Sequence, residues 1–379
     1  MQARGCSHYV GGVRGRRVRS DATAGLRYRA RPTVICLVLA GMMLTAAGDP
    51  VPDEQPRPWD EVAATAPMTP TGSALDDDEV PNPLAPDDGG DVTGVRDWEQ
   101  QRRPEVLEAF REHVYGTSLP QPTDMKFEGG DGDASSKKIT IEVTGPEGTA
   151  RFPLRLSVPA TGRPKGTFLL IDHRGSGGED RGSSSGYAPT SKILDAGYAL
   201  AVLDAGEVAP DDARSYRNGV IDAFHPSDQD LPADAGRTIS AWAWGASRAM
   251  DYLQTDPGID PTKVAVIGHS RGGKAALWAG AQDPRFAAVI SNNSGSTGAK
   301  LARRDGSGES ISAINRSFPH WFPDTYKAYD GNADALPVDQ HELLALVAPR
   351  RLVVASASDD GNADPQGEFL SYLGAAPVY

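Results

Sequence analysis

Val264-Ala265-Val266-Ile267-Gly268-His269-Ser270-Arg271-Gly272-Gly273-Lys274-Ala275-Ala276-Leu277-Trp278-Ala279-Gly280 is the stretch that decides the fold. Its first four residues form a short, branched apolar run that predicts a buried strand, and the residues from Gly273 onward predict a helix. Gly268-His269-Ser270-Arg271-Gly272 lies between them as a strict G-x-S-x-G. That pentapeptide in a strand–turn–helix context is a nucleophile elbow. The turn is too tight for side chains at its two glycines, and the helix amino terminus favours negative charge beside Ser270.

Similar apolar runs occur on both sides of this unit. Strands are expected over 166–171, 198–203, 263–268, 286–291 and 351–357, none with strict alternation, as in strands buried on both faces of a parallel sheet. Upstream, 138–143 and 151–158 flank Gly145-Pro146-Glu147-Gly148 and predict an antiparallel pair. Val106, Leu107, Phe110 and Val114 recur at helical spacing within 98–115, and further helices are expected over 237–253, 273–281 and 341–346. The fold class expected is α/β: an α/β-hydrolase fold with a mostly parallel sheet covered by helices on both faces.

The chain of 379 residues has a formal net charge of −13, which disfavours a nucleic-acid partner. Its two cysteines, Cys6 and Cys36, precede the predicted fold, so no disulfide framework, thiolate metal site or cysteine nucleophile is expected there. Eight arginines against one acid fill residues 1–32, followed by uncharged, largely apolar residues 33–48 ending in Ala46-Ala47-Gly48. That layout predicts a signal peptide over 1–48, hence a secreted protein, with tethering through 33–48 as the alternative. Residues 49–92 hold nine prolines and twelve acids, too polar to bury a core. They are expected to be a disordered linker whose last part, 80–84, docks on the domain spanning 93–379.

Serine catalysis needs a base and an acid, in this fold in the order Ser, Asp or Glu, His. Asp359 and Asp360 follow the last predicted strand and are the candidate acids, with Asp360 preferred. No histidine follows Asp360, and the remaining 19 residues are too few for a further strand, a loop histidine and a closing helix. The closing strand and helix are therefore expected to be missing, with the catalytic histidine beyond Tyr379. His341, at the start of a helix, is expected to pack or hydrogen-bond.

Gly268–Lys274 (GHSRGGK), Ala275–Phe286 (AALWAGAQDPRF), Phe318–Phe322 (FPHWF), Leu336–Arg350 (LPVDQHELLALVAPR) and Asp364–Leu370 (DPQGEFL) together resemble the bacterial branch of the glucuronoyl esterases, carbohydrate esterase family 15. The resemblance implies cleavage of esters joining 4-O-methylglucuronic acid on xylan to lignin alcohols. It implies that Arg271 supports the oxyanion with its backbone N–H and its guanidinium, aided by a backbone donor near His173-Arg174-Gly175, and that Lys274, Glu309 and Trp321 contact the uronic sugar. Ser270 would attack the ester carbonyl and water would then release the acyl-enzyme, with no metal or organic cofactor.

Two positions depart from the family pattern. Asn293 stands where fungal and some bacterial members carry a triad glutamate, 23 residues after the serine, and Asn362 stands where a tryptophan usually packs on the sugar. The glucuronoxylan or lignin–carbohydrate ester is the expected partner of a monomeric protein. An acetylxylan or other carbohydrate esterase, or a secreted non-catalytic glucuronoxylan-binding homologue, are the alternatives.

Overall fold

The computed structural model describes residues 81–86, 89–90, 92–129, 135–175, 187–304 and 308–379. The segments expected to direct export and most of the expected linker lie outside these residues.

A helical run over 95–115 opens the domain, α-helical through α1 (Arg103–Phe110) and drawn into π turns on either side. Val106, Phe110 and Val114 are fully buried, as their spacing requires. β1 (Asp124–Gly129), β2 (Ser136–Thr144) and β3 (Thr149–Ser157) then form an antiparallel meander. From β4 (Thr167–Asp172) onward strands alternate with helices: α2 (Thr190–Asp195), β5 (Ala199–Asp204), α3 (Thr238–Leu253), β6 (Val264–His269), α4 (Arg271–Gln282), β7 (Ala288–Asn292), α5 (Gln340–Ala345), β8 (Arg351–Ala355) and α6 (Pro365–Ala375).

The eight strands make one sheet in the order β1-β2-β3-β5-β4-β6-β7-β8. β3 pairs antiparallel with β5, whereas β5, β4, β6, β7 and β8 are mutually parallel. The chain therefore has the α/β-hydrolase fold. Although its central strands are apolar throughout, their side chains still alternate between two cores. Leu169, Ile171, Ala201, Leu203, Val264 and Val266 join the large core with Trp242, Trp278 and Leu343 from the helices. Phe168, Leu170, Leu200, Val202, Ala265 and Ile267 form the second core, which Ile193 of α2 covers.

Among these elements β1, α2 and α6 escaped sequence-level expectation. β1 is an edge strand with half-exposed Met125 and Phe127 as its only apolar side chains, so its alternation is too short to stand out. α6 begins at Asp364, whose side chain caps the Gly367 amide, followed by Pro365 at the first helical position. Those start signals were present in the sequence.

Residues 81–84 lie against the domain. His341 Nε2 donates to Pro81 O at 2.6 Å, and Arg102 Nε donates to Pro83 O at 3.2 Å while its guanidinium pairs with Glu342 at 3.0 Å. His341 is fully buried and its pKa is lowered by that burial, so it is a neutral packing and hydrogen-bonding residue. Among the described residues no helix is long and apolar enough to cross a membrane.

Candidate active site

Parallel strands align their carboxyl ends, so the loops after β4, β5, β6, β7 and β8 converge on one edge of the sheet. The turn after β6 places Ser270 there with φ 54° and ψ −126°, a positive-φ conformation that costs a non-glycine residue about 1–3 kcal/mol. The surroundings enforce it. The Ser270 amide donates to Asn292 O at 2.8 Å, and its carbonyl accepts from the Gly273 and Lys274 amides at 2.8 and 3.1 Å. A Cβ on Gly268 would lie 1.9 Å from Gly272 O, and one on Gly272 would lie 2.9 Å from Ile171 O. Both glycines are thus required by contact as well as by the turn.

The loop after β7 carries Asn293, also at positive φ (46°) and almost fully buried. Its side-chain amide donates to Asp360 Oδ2 at 2.8 Å, and its backbone amide donates to Ala355 O at 2.9 Å. The two places where this fold can put its acid therefore meet: the asparagine at one holds the carboxylate at the other. The Ala363 amide donates to the second Asp360 oxygen at 3.2 Å, which fixes the carboxylate's orientation. Asp359 is exposed, with Ser358 Oγ donating to its carboxylate at 3.4 Å. Of the adjacent acids, Asp360 is the one turned inward, onto the loop after β7.

No histidine among the described residues hydrogen-bonds Ser270 or Asp360. Two flank the elbow. His269 Nδ1 bonds Asn292 Oδ1 at 2.8 Å, and His173 Nδ1 bonds Tyr187 Oη at 3.2 Å, the two imidazoles lying 6.2 Å apart and nearly parallel. Burial lowers the pKa of both. In His173, the nearby cations Arg271 and Arg174 push further down, to about 3, so this ring is neutral near neutrality.

Arg271 opens α4 and directs its guanidinium to Asp211, in the loop after β5. Its Cζ lies 4.7 Å from the Trp321 ring centroid and 5.1 Å from that of Phe318. These two rings stack on each other at 3.8 Å. Asp211 further accepts from Trp321 Nε1 at 2.7 Å and His320 Nε2 at 2.9 Å. Burial alone would raise the Asp211 pKa, but these donors and Arg271 outweigh it and hold the carboxyl well below its usual range. The sequence offered no signal for Asp211: in Ala209-Pro210-Asp211-Asp212 it looks like a solvated loop acid.

Lys274 is 2% exposed, one turn into α4. Its ammonium donates to Ser294 O (2.6 Å) and Ser296 O (2.5 Å), lies 3.6 Å from Glu309 Oε2, and stands 5.9 Å from the Trp321 ring. Burial pulls its pKa down against the pull of Glu309 and Glu368. Glu309 is itself fixed, its amide donating to Asn362 O at 2.9 Å. The structure thus brings together Lys274, Glu309, Trp321 and Arg271, spread over 51 positions of the chain. It also shows that Lys274 anchors the loop after β7, and that Trp321 is a buried ring beneath Arg271.

A cavity of about 700 Å³ elsewhere contains none of these residues. Its arginines Arg111, Arg248 and Arg285 pair with Glu108, Asp251 and Asp283.

A serine at a strained strand–turn–helix apex, an acid on the loop after a later strand and a cation one residue past the serine define a serine hydrolase of the α/β-hydrolase class. Comparison with known proteins narrows this. The family model "Glucuronyl esterase, fungi" matches residues 136–379. Carbohydrate esterase MZ0003, from an unknown prokaryotic organism, is 35% identical, with 91% of this chain and 86% of that protein covered. 4-O-Methyl-glucuronoyl methylesterase 1 of Wolfiporia cocos is 30% identical over 77% of this chain and 68% of that protein. The glucuronoyl esterase structure from Solibacter usitatus superposes with a TM-score of 0.72 at 37% identity, covering 79% of this chain and 84% of that one. The chain belongs to the glucuronoyl esterase family, whose members are carboxylic ester hydrolases.

Proposed function

We propose that the protein hydrolyses esters of 4-O-methylglucuronic acid, releasing lignin alcohols from glucuronoxylan outside the cell, and that it does so as a monomer. The observation that carries this reading is the convergence, at the carboxyl edge of the sheet, of Ser270, the Asn293-held Asp360 and the Arg271–Lys274–Glu309–Trp321 cluster.

Ser270 Oγ attacks the uronoyl carbonyl, giving its proton to an imidazole that Asp360 orients. No histidine among the described residues takes the part of that base. Negative charge develops on the carbonyl oxygen near Arg271 and the amino terminus of α4. A single preorganised donor there contributes roughly 2.7–4 kcal/mol. The alcohol leaves with the proton, water attacks the acyl-serine, and 4-O-methylglucuronate departs. Glu309, its side chain 19% exposed, is the member of that cluster open to the sugar ring, with Lys274 and Trp321 buried behind it.

Hydrolysis of a glucuronate methyl ester and of an acetylated xylo-oligosaccharide by the full-length protein tests this. Preference for the uronate ester supports the reading, and preference for the acetyl ester points to an acetylxylan esterase. Binding of glucuronoxylan without turnover would make it a non-catalytic homologue.

A further inference from the structure

Arg271 is held in a closed set of contacts more elaborate than a donor to the oxyanion requires. Asp211 is the centre of that set. It comes from the loop after β5, 60 positions before Arg271, and takes three donors at once: the Arg271 guanidinium, Trp321 Nε1 at 2.7 Å and His320 Nε2 at 2.9 Å. Because a carboxylate only accepts, the imidazole of His320 carries its proton on Nε2. His320 and Trp321 are almost fully buried, whereas the side chains of Asp211 and Arg271 are 19% and 28% exposed. The pair therefore faces the open side of the site, backed by two buried rings. The guanidinium lies against the stacked pair of Trp321 and Phe318, and Nε of Arg271 is buried without a hydrogen-bond partner among the described residues.

Two consequences follow from charge and geometry. A planar guanidinium held by a carboxylate and packed against a stacked pair of rings is restricted in orientation, so its remaining donors are preorganised. The ion pair is also close to neutral overall. The ester substrate carries no charge at the reacting carboxyl, but the product of its hydrolysis is a carboxylate. An unpaired arginine next to Ser270 would bind that product more tightly than the substrate, and would raise the cost of each turnover. An arginine already paired holds a full carboxylate weakly, because Asp211 repels it, and it serves the short-lived oxyanion through its fixed orientation rather than through a net charge.

We propose that Asp211 is a positioning residue and counter-charge for Arg271, oriented by His320 and Trp321, that aims the guanidinium and prevents retention of the uronate product. The proposal rests on the esterase reading of Ser270 and Arg271. It makes this site selective for neutral uronate esters over free uronic acids.

The test pairs kinetics with binding on the full-length protein, its Asp211→Asn variant and its Asp211→Glu variant, each checked for folding by circular dichroism. Asp211→Asn keeps an acceptor for Trp321 and His320 but removes the charge. Its kcat on methyl 4-O-methylglucuronate is expected to fall roughly tenfold to a hundredfold with a smaller change in KM, part of the 10²–10³ that loss of a whole oxyanion donor costs. Its dissociation constant for free 4-O-methylglucuronate is expected to fall roughly fivefold or more, the effect of removing one like charge a few ångströms away. Asp211→Glu, with the charge retained and its position shifted, should lose kcat but keep weak uronate binding.

Unchanged uronate binding in Asp211→Asn, or tightening of equal size in Asp211→Glu, overturns the proposal. Calorimetric binding decides the matter even for a protein without turnover. Absence of hydrolysis in the unaltered protein would overturn the esterase reading, while the uronate-binding comparison would still decide the role of Asp211. Should Asp211→Asn fail to fold, Asp211→Ser, which also removes the charge, takes its place in the uronate-binding comparison, and unchanged binding there overturns the proposal.

Discussion

Replacing Asn293 by aspartate puts a second carboxylate where the structure has an amide donating to Asp360. The side chains are nearly isosteric, so the 2.8 Å separation sets the size of the effect. Two unit charges at that distance repel by about 1.5 kcal/mol at a dielectric of 80 and by about 6 kcal/mol at 20. With Asn293 almost fully buried and Asp360 half-buried, the expected cost falls between these limits, at about 3 kcal/mol. The pair avoids it by keeping one proton, so its second ionisation is displaced upward by about two pH units. In the unfolded chain both carboxyls ionise near pH 4. A carboxyl whose folded pKa is raised costs stability as pH rises: between about pH 4 and pH 6 the unfolded state loses a proton that the folded state keeps. The variant should therefore match the parent near pH 4 and be about 3 kcal/mol less stable at pH 7. Denaturant unfolding of both proteins at pH 4, 5, 6 and 7 measures the difference. A difference that stays flat within about 0.5 kcal/mol, well under the lower Coulomb limit, would refute the contact between the two acid positions.

Other expectations bear on the same site. Ser270→Gly should be about 1 kcal/mol more stable than Ser270→Ala in denaturant unfolding, because only glycine adopts φ 54° without strain. Gly268→Ala, whose new methyl would sit 1.9 Å from Gly272 O, should cost more than about 4 kcal/mol or abolish soluble expression. The low pKa of His173, about 3, means that the unfolded state gains a proton there first as pH falls below about 6.5. His173→Gln should accordingly lose less stability than the parent between pH 6.5 and pH 4, by on the order of 1–3 kcal/mol after allowing for partial exposure. Lys274→Ala should lower hydrolysis of the glucuronate ester relative to the acetyl ester. It should also destabilise the fold by about 3 kcal/mol, since the ammonium holds two carbonyls of the β7 loop and the Glu309 carboxylate.

The elbow was legible because its chemistry is local: one strand, two glycines, a serine and a helix within 17 residues. The central strands were legible because burial on both faces leaves short apolar runs that need no partner to be seen. What escaped depends on partners far along the chain. Asp211 gains its meaning from Arg271, His320 and Trp321, which lie 60 to 110 positions away, and nothing in its own loop distinguishes it from Asp212. The Asn293–Asp360 bond spans 67 positions. From sequence, Asn293 was a departure from the family pattern; in the structure it is the group that holds the remaining acid. Lys274 shows the converse. Its position four residues past the serine was visible, but only packing reveals that its ammonium is buried and already held by backbone.

The most direct test of serine catalysis at this site is hydrolysis of methyl 4-O-methylglucuronate by the full-length protein beside its Ser270→Ala variant. Turnover by the parent is expected, with a loss of at least about 10³-fold in the variant and unchanged circular dichroism. No turnover by the parent, or turnover that survives the loss of Ser270, would contradict the esterase mechanism.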